Sequence, residues 1–243
     1  MPLYSLFVAF GALTGLLLAG WRAPQKATTR YLDAGLGILA GALVGSRALA
    51  VAINWGYYRL HPDEIIQVWL GGLSGVGALA GGVLAIIIVA LSLRLPIGTL
   101  SDVFLPLAGT LMTTVWLGCW IDGCSYGYAS SAWWALPARD EWGAIAYRLP
   151  VQFMGAILTL LLLWILDRAG KRWPQNGMVA CLGLLGFSAE IFGLSFLRAD
   201  PTLWVYGLRL EAWGALGLLA FSILAVVVLL LRGMHNTGIN QKG

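Results

Sequence analysis

Apolar residues fall in seven long runs separated by short polar breaks: about 4–21, 35–55, 69–93, 104–121, 151–167, 178–197 and 211–232. A helix rises about 1.5 Å per residue, so a run of roughly 20 crosses the hydrocarbon core of a bilayer. The pattern predicts an all-α integral membrane protein with seven transmembrane helices. Residues 1–232 are expected to form one seven-helix transmembrane domain, and the polar stretch 233–243 a disordered tail. The first run does not read as a cleaved signal peptide, because no basic residue precedes Tyr4 and Arg22 follows the run. Trp21, Trp55, Trp69, Trp116, Trp120, Trp164, Trp173 and Trp213 gather near the run ends, where amphipathic rings sit at membrane interfaces.

Composition agrees with the pattern. Of 243 residues 59% are hydrophobic and only 11% charged, too few charges to cover a soluble surface. Three Cys are too few for a secreted disulfide scaffold. The net charge of +4 gives no reason to expect nucleic acid as a partner. Loop cations instead set topology. Arg22, Lys26, Arg30, Arg94, Arg168, Lys171, Arg172, Arg232 and Lys242 lie on one side, nine of the fifteen. Arg59, Arg139, Arg148, Arg198 and Arg209 lie on the other. The nine-cation side is expected in the cytoplasm, with the N-terminus outside and the C-terminus inside. The long external loop 122–150 carries Trp133, Trp134 and Trp142 and is expected to lie on the membrane surface rather than act as a loose connector.

Two charges fall inside runs. Arg47 costs roughly 2.5–3.5 kcal/mol to insert and cannot deprotonate, so a functional role is favoured over a purely structural one. Glu190 is its expected counterion: each lies on the order of 10 Å below the same face. Tyr4, Asp122, Tyr126, Gln152 and Arg198 also gather at the external ends of runs, which suits an anionic lipid headgroup. Gly37, Gly41 and Gly45, Gly71 and Gly75, and Gly77 and Gly81 recur every four residues, the spacing of close helix contacts. The segment Gly71-Gly72-Leu73-Ser74-Gly75 could alternatively turn free backbone N–H groups toward a phosphate. Cys119 and Cys124 could form a disulfide or ligate a metal, but packing of two small residues is the preferred reading, and no metal site is expected. Polar groups clustered at one side argue against a transporter, which needs them near the midplane. The seventh run has no Lys for a retinal Schiff base.

With these residues in order along the chain, the sequence resembles the prolipoprotein diacylglyceryl transferase family from Tyr4 to about Leu231. Tyr4-Ser5-Leu6-Phe7-Val8-Ala9-Phe10-Gly11 looks like the family's opening helix. Gly45-Ser46-Arg47 resembles its Gly-Ala-Arg stretch. His61-Pro62-Asp63-Glu64-Ile65 and then Val68-Trp69-Leu70-Gly71-Gly72-Leu73-Ser74 are similar to its His-Pro-x-Glu-Ile and Trp-x-Gly-Gly-Leu-Ser segments. Asp122-Gly123-Cys124-Ser125-Tyr126-Gly127, Leu149-Pro150-Val151-Gln152-Phe153 and Arg198-Ala199-Asp200-Pro201 resemble three further elements. Val76 stands where the family pattern has His. Trp116 and Cys119 stand at the Arg and Asn of its Arg-x-Gly-Asn, Cys124 at a Glu, and Leu149 at a His. The Glu after Gln152 is replaced near Gly155.

The resemblance implies transfer of a diacylglyceryl group from phosphatidylglycerol to the lipobox Cys thiol of a prolipoprotein signal peptide. It implies an enzyme without a cofactor, at the outer leaflet of the bacterial cytoplasmic (inner) membrane. The alternative is an inactive or altered-substrate relative that binds lipid or a lipoprotein precursor. In that frame Arg47 and Arg198 would hold the departing phosphate, while Asp122 and Glu190 are base candidates on chemistry alone. Tyr4, Gly72, Ser74, Tyr126, Gly127 and Gln152 would contact substrate.

Overall fold

The computed structural model describes residues 2–170, 173 and 175–240; Lys171, Arg172 and Lys242 of the cation count lie outside them. The helices are α1 (Pro2–Arg22), α2 (Thr28–Ile53), a four-residue α3 (Trp55–Tyr58), α4 (Gly75–Leu93), α5 (Ile97–Asp122), α6 (Val151–Gly170), α7 (Met178–Ser195) and α8 (Leu210–Asn240). Seven of them, all but α3, are long and apolar enough to cross a membrane. The architecture is all-α, with two small antiparallel hairpins in the connections. These are β1 (Leu136–Arg139) with β2 (Ile145–Arg148), and β3 (Trp204–Val205) with β4 (Leu208–Arg209).

Helix limits follow local chemistry. The third apolar run becomes helical only at Gly75, because Ser74 caps α4 by accepting the Gly77 N–H at 3.2 Å. Gly71 and Gly72 before it have φ of 90° and 67°, which a continuing helix does not allow. Helix α5 starts one residue after Pro96, well ahead of position 104, and stops at Gly123, where φ is 78°. Helix α8 continues to Asn240, so residues 233–240 are helical and not an irregular tail.

Small residues bring the helices together. A Cβ on Gly45 would lie 2.6 Å from Gly81 Cα, and one on Gly41 2.3 Å from Ala85 Cβ, so α2 and α4 meet almost backbone to backbone. Gly71 and Gly75 face open space and take no part in that contact. Helix α1 lies against α5 in the same way, with the Thr110 hydroxyl donating to Gly11 O at 2.9 Å. The far side of α1 exposes Leu6, Phe10, Leu13 and Leu17, a stripe at helical spacing that suits lipid.

The connections 54–74, 123–150 and 196–209 lie at one end of the bundle, here termed the head. The first tie at the opposite end is Asp102, which accepts from Gly177 N at 2.6 Å and Ala180 N at 2.8 Å and so caps the start of α7 from α5. Arg22 pairs with Asp167 at 2.6 Å there, and Arg30 donates to Leu93 O at 3.2 Å. The loop 122–150 is not a loose connector: residues 136–148 within it fold as the β1–β2 hairpin. Trp133 and Trp142 beside it are almost wholly exposed.

Candidate functional site at the head

Arg47 is 6% exposed, in the last two turns of α2. Its guanidinium does not meet Glu190. It donates through Nε to Ile65 O (2.8 Å) and through Nη1 to Gly71 O (2.6 Å) and Gly72 O (3.0 Å). Nη2 donates to Glu64 O and, more weakly, to Gln67 O at 3.5 Å. The Tyr58 ring lies 5.0 Å beneath the cation. A guanidinium has five N–H donors, and here each has a carbonyl. Hydrogen bonds to a charged group contribute about 1.5–3 kcal/mol each, so two of them already offset the insertion cost. The benefit is mutual, because irregular backbone at membrane depth needs partners for its carbonyls. The Gly71–Gly72 turn therefore presents carbonyls to a cation, not N–H groups to an anion. Ser74 binds α4 to α2: Ser46 Oγ donates to Ser74 O at 2.9 Å, and Ser74 N to Ser46 O at 3.2 Å.

Glu190 has other partners. Its Oε1 accepts the Trp116 indole N–H at 2.8 Å, and Thr159 Oγ1 lies 3.0 Å from both carboxylate oxygens. Trp116 also lies on Gly155, where a Cβ would sit 2.4 Å from the indole. Three helices, α5, α6 and α7, thus close around the carboxylate. Matching depth was the basis for pairing it with Arg47, but depth leaves the direction around each helix axis open. Trp116 and Thr159 escaped notice as partners because only their helix faces mark them.

A third group joins several of the expected residues. Cys119 and Cys124 form a disulfide across the end of α5, not a packed pair of thiols. Gly123 N and Cys124 N both donate to Cys119 O there. Gln152, 1% exposed, donates through Nε2 to Cys124 O at 3.0 Å, and its Oε1 has no partner. Tyr126 O accepts from Ala199 N at 2.8 Å, and Gly127 forms an antiparallel bridge with Arg198. Gly127 has to be small: a Cβ would come within 2.3 Å of Leu149 O. Burial, and then the Glu141 carboxylate it bonds, push the Tyr126 hydroxyl above its ordinary pKa, so it stays protonated beside Arg148, whose guanidinium lies 4.5 Å from the ring. Asp122 is exposed at the end of α5, and the Tyr4 ring lies against Gly118 one turn below it.

Arg198 is held by Asp200 through Nε at 2.8 Å and Nη2 at 2.5 Å. Arg209, at the foot of α8, adds Nη2 at 3.0 Å from the same Asp200 oxygen and donates through Nη1 to Arg198 O at 3.2 Å. Arg209 drew no attention in the sequence, where it reads as one more loop cation. Apart from Tyr4, which lies against Gly118, the expected site residues thus fall into three groups: Arg47 with Gly72 and Ser74, Glu190 alone, and the turn 122–127 with Gln152 and Arg198. Arg47 and Arg198 share no partner among the described residues.

A model of the prolipoprotein diacylglyceryl transferase family matches residues 1–228. The chain belongs to that family. A phosphatidylglycerol–prolipoprotein diacylglyceryl transferase of Synechococcus elongatus is 27% identical over 237 residues, covering 92% of this chain and 82% of its own length. Proteins of that name from Streptococcus agalactiae and Methylobacillus flagellatus are each 28% identical, over 92% and 94% of this chain and 90% and 92% of their own lengths. This member of the diacylglyceryl transferase family is a multi-pass membrane protein. The residues read from the resemblance as departures from the family pattern sit in the head half of the bundle. Trp116, at the expected Arg position, bonds Glu190. Val76 fills the His position at the start of α4, where a Cβ on Gly214 of α8 would come within 2.6 Å of it. The disulfide joins the two residues that the resemblance sets against an Asn and a Glu.

Proposed function

We propose that this protein transfers the diacylglyceryl group of phosphatidylglycerol to the thiol of the lipobox cysteine in prolipoprotein signal peptides, at the outer leaflet of the bacterial cytoplasmic membrane, with the head facing outward. The match to the family over 228 consecutive residues carries this reading. In the reaction the thiol loses its proton to a base, and its sulfur bonds the glycerol carbon. The bond from that carbon to the phosphate oxygen breaks, and glycerol phosphate departs with the electron pair. The departing phosphate needs a cation already in place. Arg198 is assigned that task, since Arg47 has spent its donors on carbonyls. Asp122, exposed at the end of α5, is assigned as base, because Trp116 and Thr159 enclose Glu190. Tyr126, Gly127 and Gln152 shape the turn beside Arg198.

The test is incubation of purified protein with phosphatidylglycerol and a lipobox peptide, read by mass. The expected result is one diacylglyceryl adduct on the peptide cysteine, reduced at least a hundredfold by Arg198→Gln. One observation favours a second reading, a relative that binds lipid or a lipoprotein precursor without transfer: Trp116 and Val76 put apolar side chains where the family pattern has Arg and His. No adduct from the wild type, with phosphatidylglycerol still co-purifying, would establish that second reading and overturn the first.

A further inference from the structure

Two guanidinium groups converge on one carboxylate oxygen at the head. Arg198 Nη2 lies 2.5 Å and Arg209 Nη2 3.0 Å from Asp200 Oδ2. Arg209 is 3% exposed, yet its Nε and Nη2 make no directed hydrogen bond and have no access to water. Glu211 does not complete it: its Oε2 stands 3.8 Å from Arg209 Nε and is taken up by the Thr202 hydroxyl at 2.9 Å. A planar carboxylate offers two oxygens to two forks that could use more. A tetrahedral phosphate offers three or four, and two Arg forks around one anion are the arrangement that binds it. Buried donors left without a hydrogen bond are costly, so a ligand that completes Arg209 binds there in preference to Asp200.

We infer that Arg198 and Arg209 together form a phosphate site in which the Asp200 carboxylate holds the place of the phosphate until a phosphate or phosphate ester displaces it. Asp200 is suited to leave. It lies in the connection between α7 and β3 and holds Arg198 only two residues away, so a rotation of its side chain breaks no helix. Arg209 stays, because β4 and its bond to Arg198 O hold it. The two Arg and two carboxylates balance, so an anion enters only as Asp200 swings out. Arg209 is then a second phosphate ligand beside Arg198. The inference rests on the transferase reading for its place in a reaction, but not for binding itself.

The experiment uses full-length protein in nanodiscs and measures binding of glycerol phosphate and of inorganic phosphate at constant ionic strength. Phosphatidylglycerol nanodiscs are compared with phosphatidylcholine ones. Asp200→Asn should bind glycerol phosphate at least tenfold tighter than wild type, and Arg209→Gln at least tenfold weaker. A merely structural ion pair predicts the opposite for Asp200→Asn, which would then lose stability and bind no better. Unchanged or weaker binding by Asp200→Asn therefore overturns the site. If Arg209→Gln fails to fold, Arg209→Lys decides: it keeps the charge and loses the fork, so binding equal to wild type overturns the role of Arg209. Competition by phosphatidylglycerol but not by phosphatidylcholine assigns the site to a lipid headgroup. Competition by neither, with inorganic phosphate bound, assigns it to free phosphate. Binding that follows these variants without any peptide lipidation would sink the transferase and keep the phosphate site. Lipidation with binding indifferent to Asp200→Asn would do the reverse.

Discussion

Arg47 shows how one side chain can support a segment that has no regular structure. The carbonyls of residues 64, 65, 67, 71 and 72 all turn toward it, and Gly72 favours glycine: its φ is 67°, and a Cβ would press on Nη1 at 3.1 Å. Arg47→Met should strand these carbonyls and lower stability by at least ~3 kcal/mol, since each buried acceptor left alone costs about 1–3 kcal/mol. Arg47→Lys, with three donors, should fall between. Thermal unfolding in detergent measures both. A methionine variant that melts with the wild type would mean that the guanidinium is not what holds the segment, and would return Arg47 to the role of a ligand. Glu190 is the complementary case, a carboxylate supplied by an indole N–H and a hydroxyl.

Between elements, the disulfide connects the end of α5 to everything that follows. It closes a loop of a few residues, and Gln152 and Arg198 then hold that turn from α6 and from the connection after α7. A helix C-terminus disfavours thiolates, which suits a structural bridge better than a reactive one. Chain entropy for so short a loop comes to about 2 kcal/mol. Replacing Cys119 and Cys124 by Ser should lower the melting temperature by several degrees. Dithiothreitol should bring the wild type to the same value while leaving Cys181→Ser protein as sensitive as wild type. If the double variant melts unchanged, the turn is held by Gln152 and the 197–199 backbone alone, and the bridge adds nothing.

For the whole molecule, the head gathers the three long connections and the groups of candidate site residues, so its side of the membrane decides what it can meet. Nine loop cations against five predict a head that faces outward. A reporter fused after the last residue should be active only in the cytoplasm, and one inserted beside Trp133 only outside. The reverse result would put the head where no exported lipobox cysteine is waiting, and the proposed reaction would fail with it. In that orientation the exposed Trp133 and Trp142 of this connection would be available to the outer lipid interface, which Trp favours.

The seven spans were legible in the linear order of residues, because roughly 20 apolar residues in a row have few other solutions. So were the close-contact spacing of Gly41 and Gly45 and of Gly77 and Gly81, and the place of Arg47 inside an apolar run, since spacing and order are local properties of a chain; which helices those glycines join was not. What Arg47 and Glu190 touch was not legible. Rise per residue places two side chains at one height, but the rotation of each helix about its axis is set by packing against all the others. That rotation turned Arg47 toward the 64–72 backbone, which has no side-chain signature, and Glu190 toward Trp116, 74 residues away. The disulfide and the convergence of Arg198 and Arg209 on Asp200 depend in the same way on how turns close. Side-chain chemistry and apolar length are written along the chain, while the direction in which each group points exists only once the helices have packed.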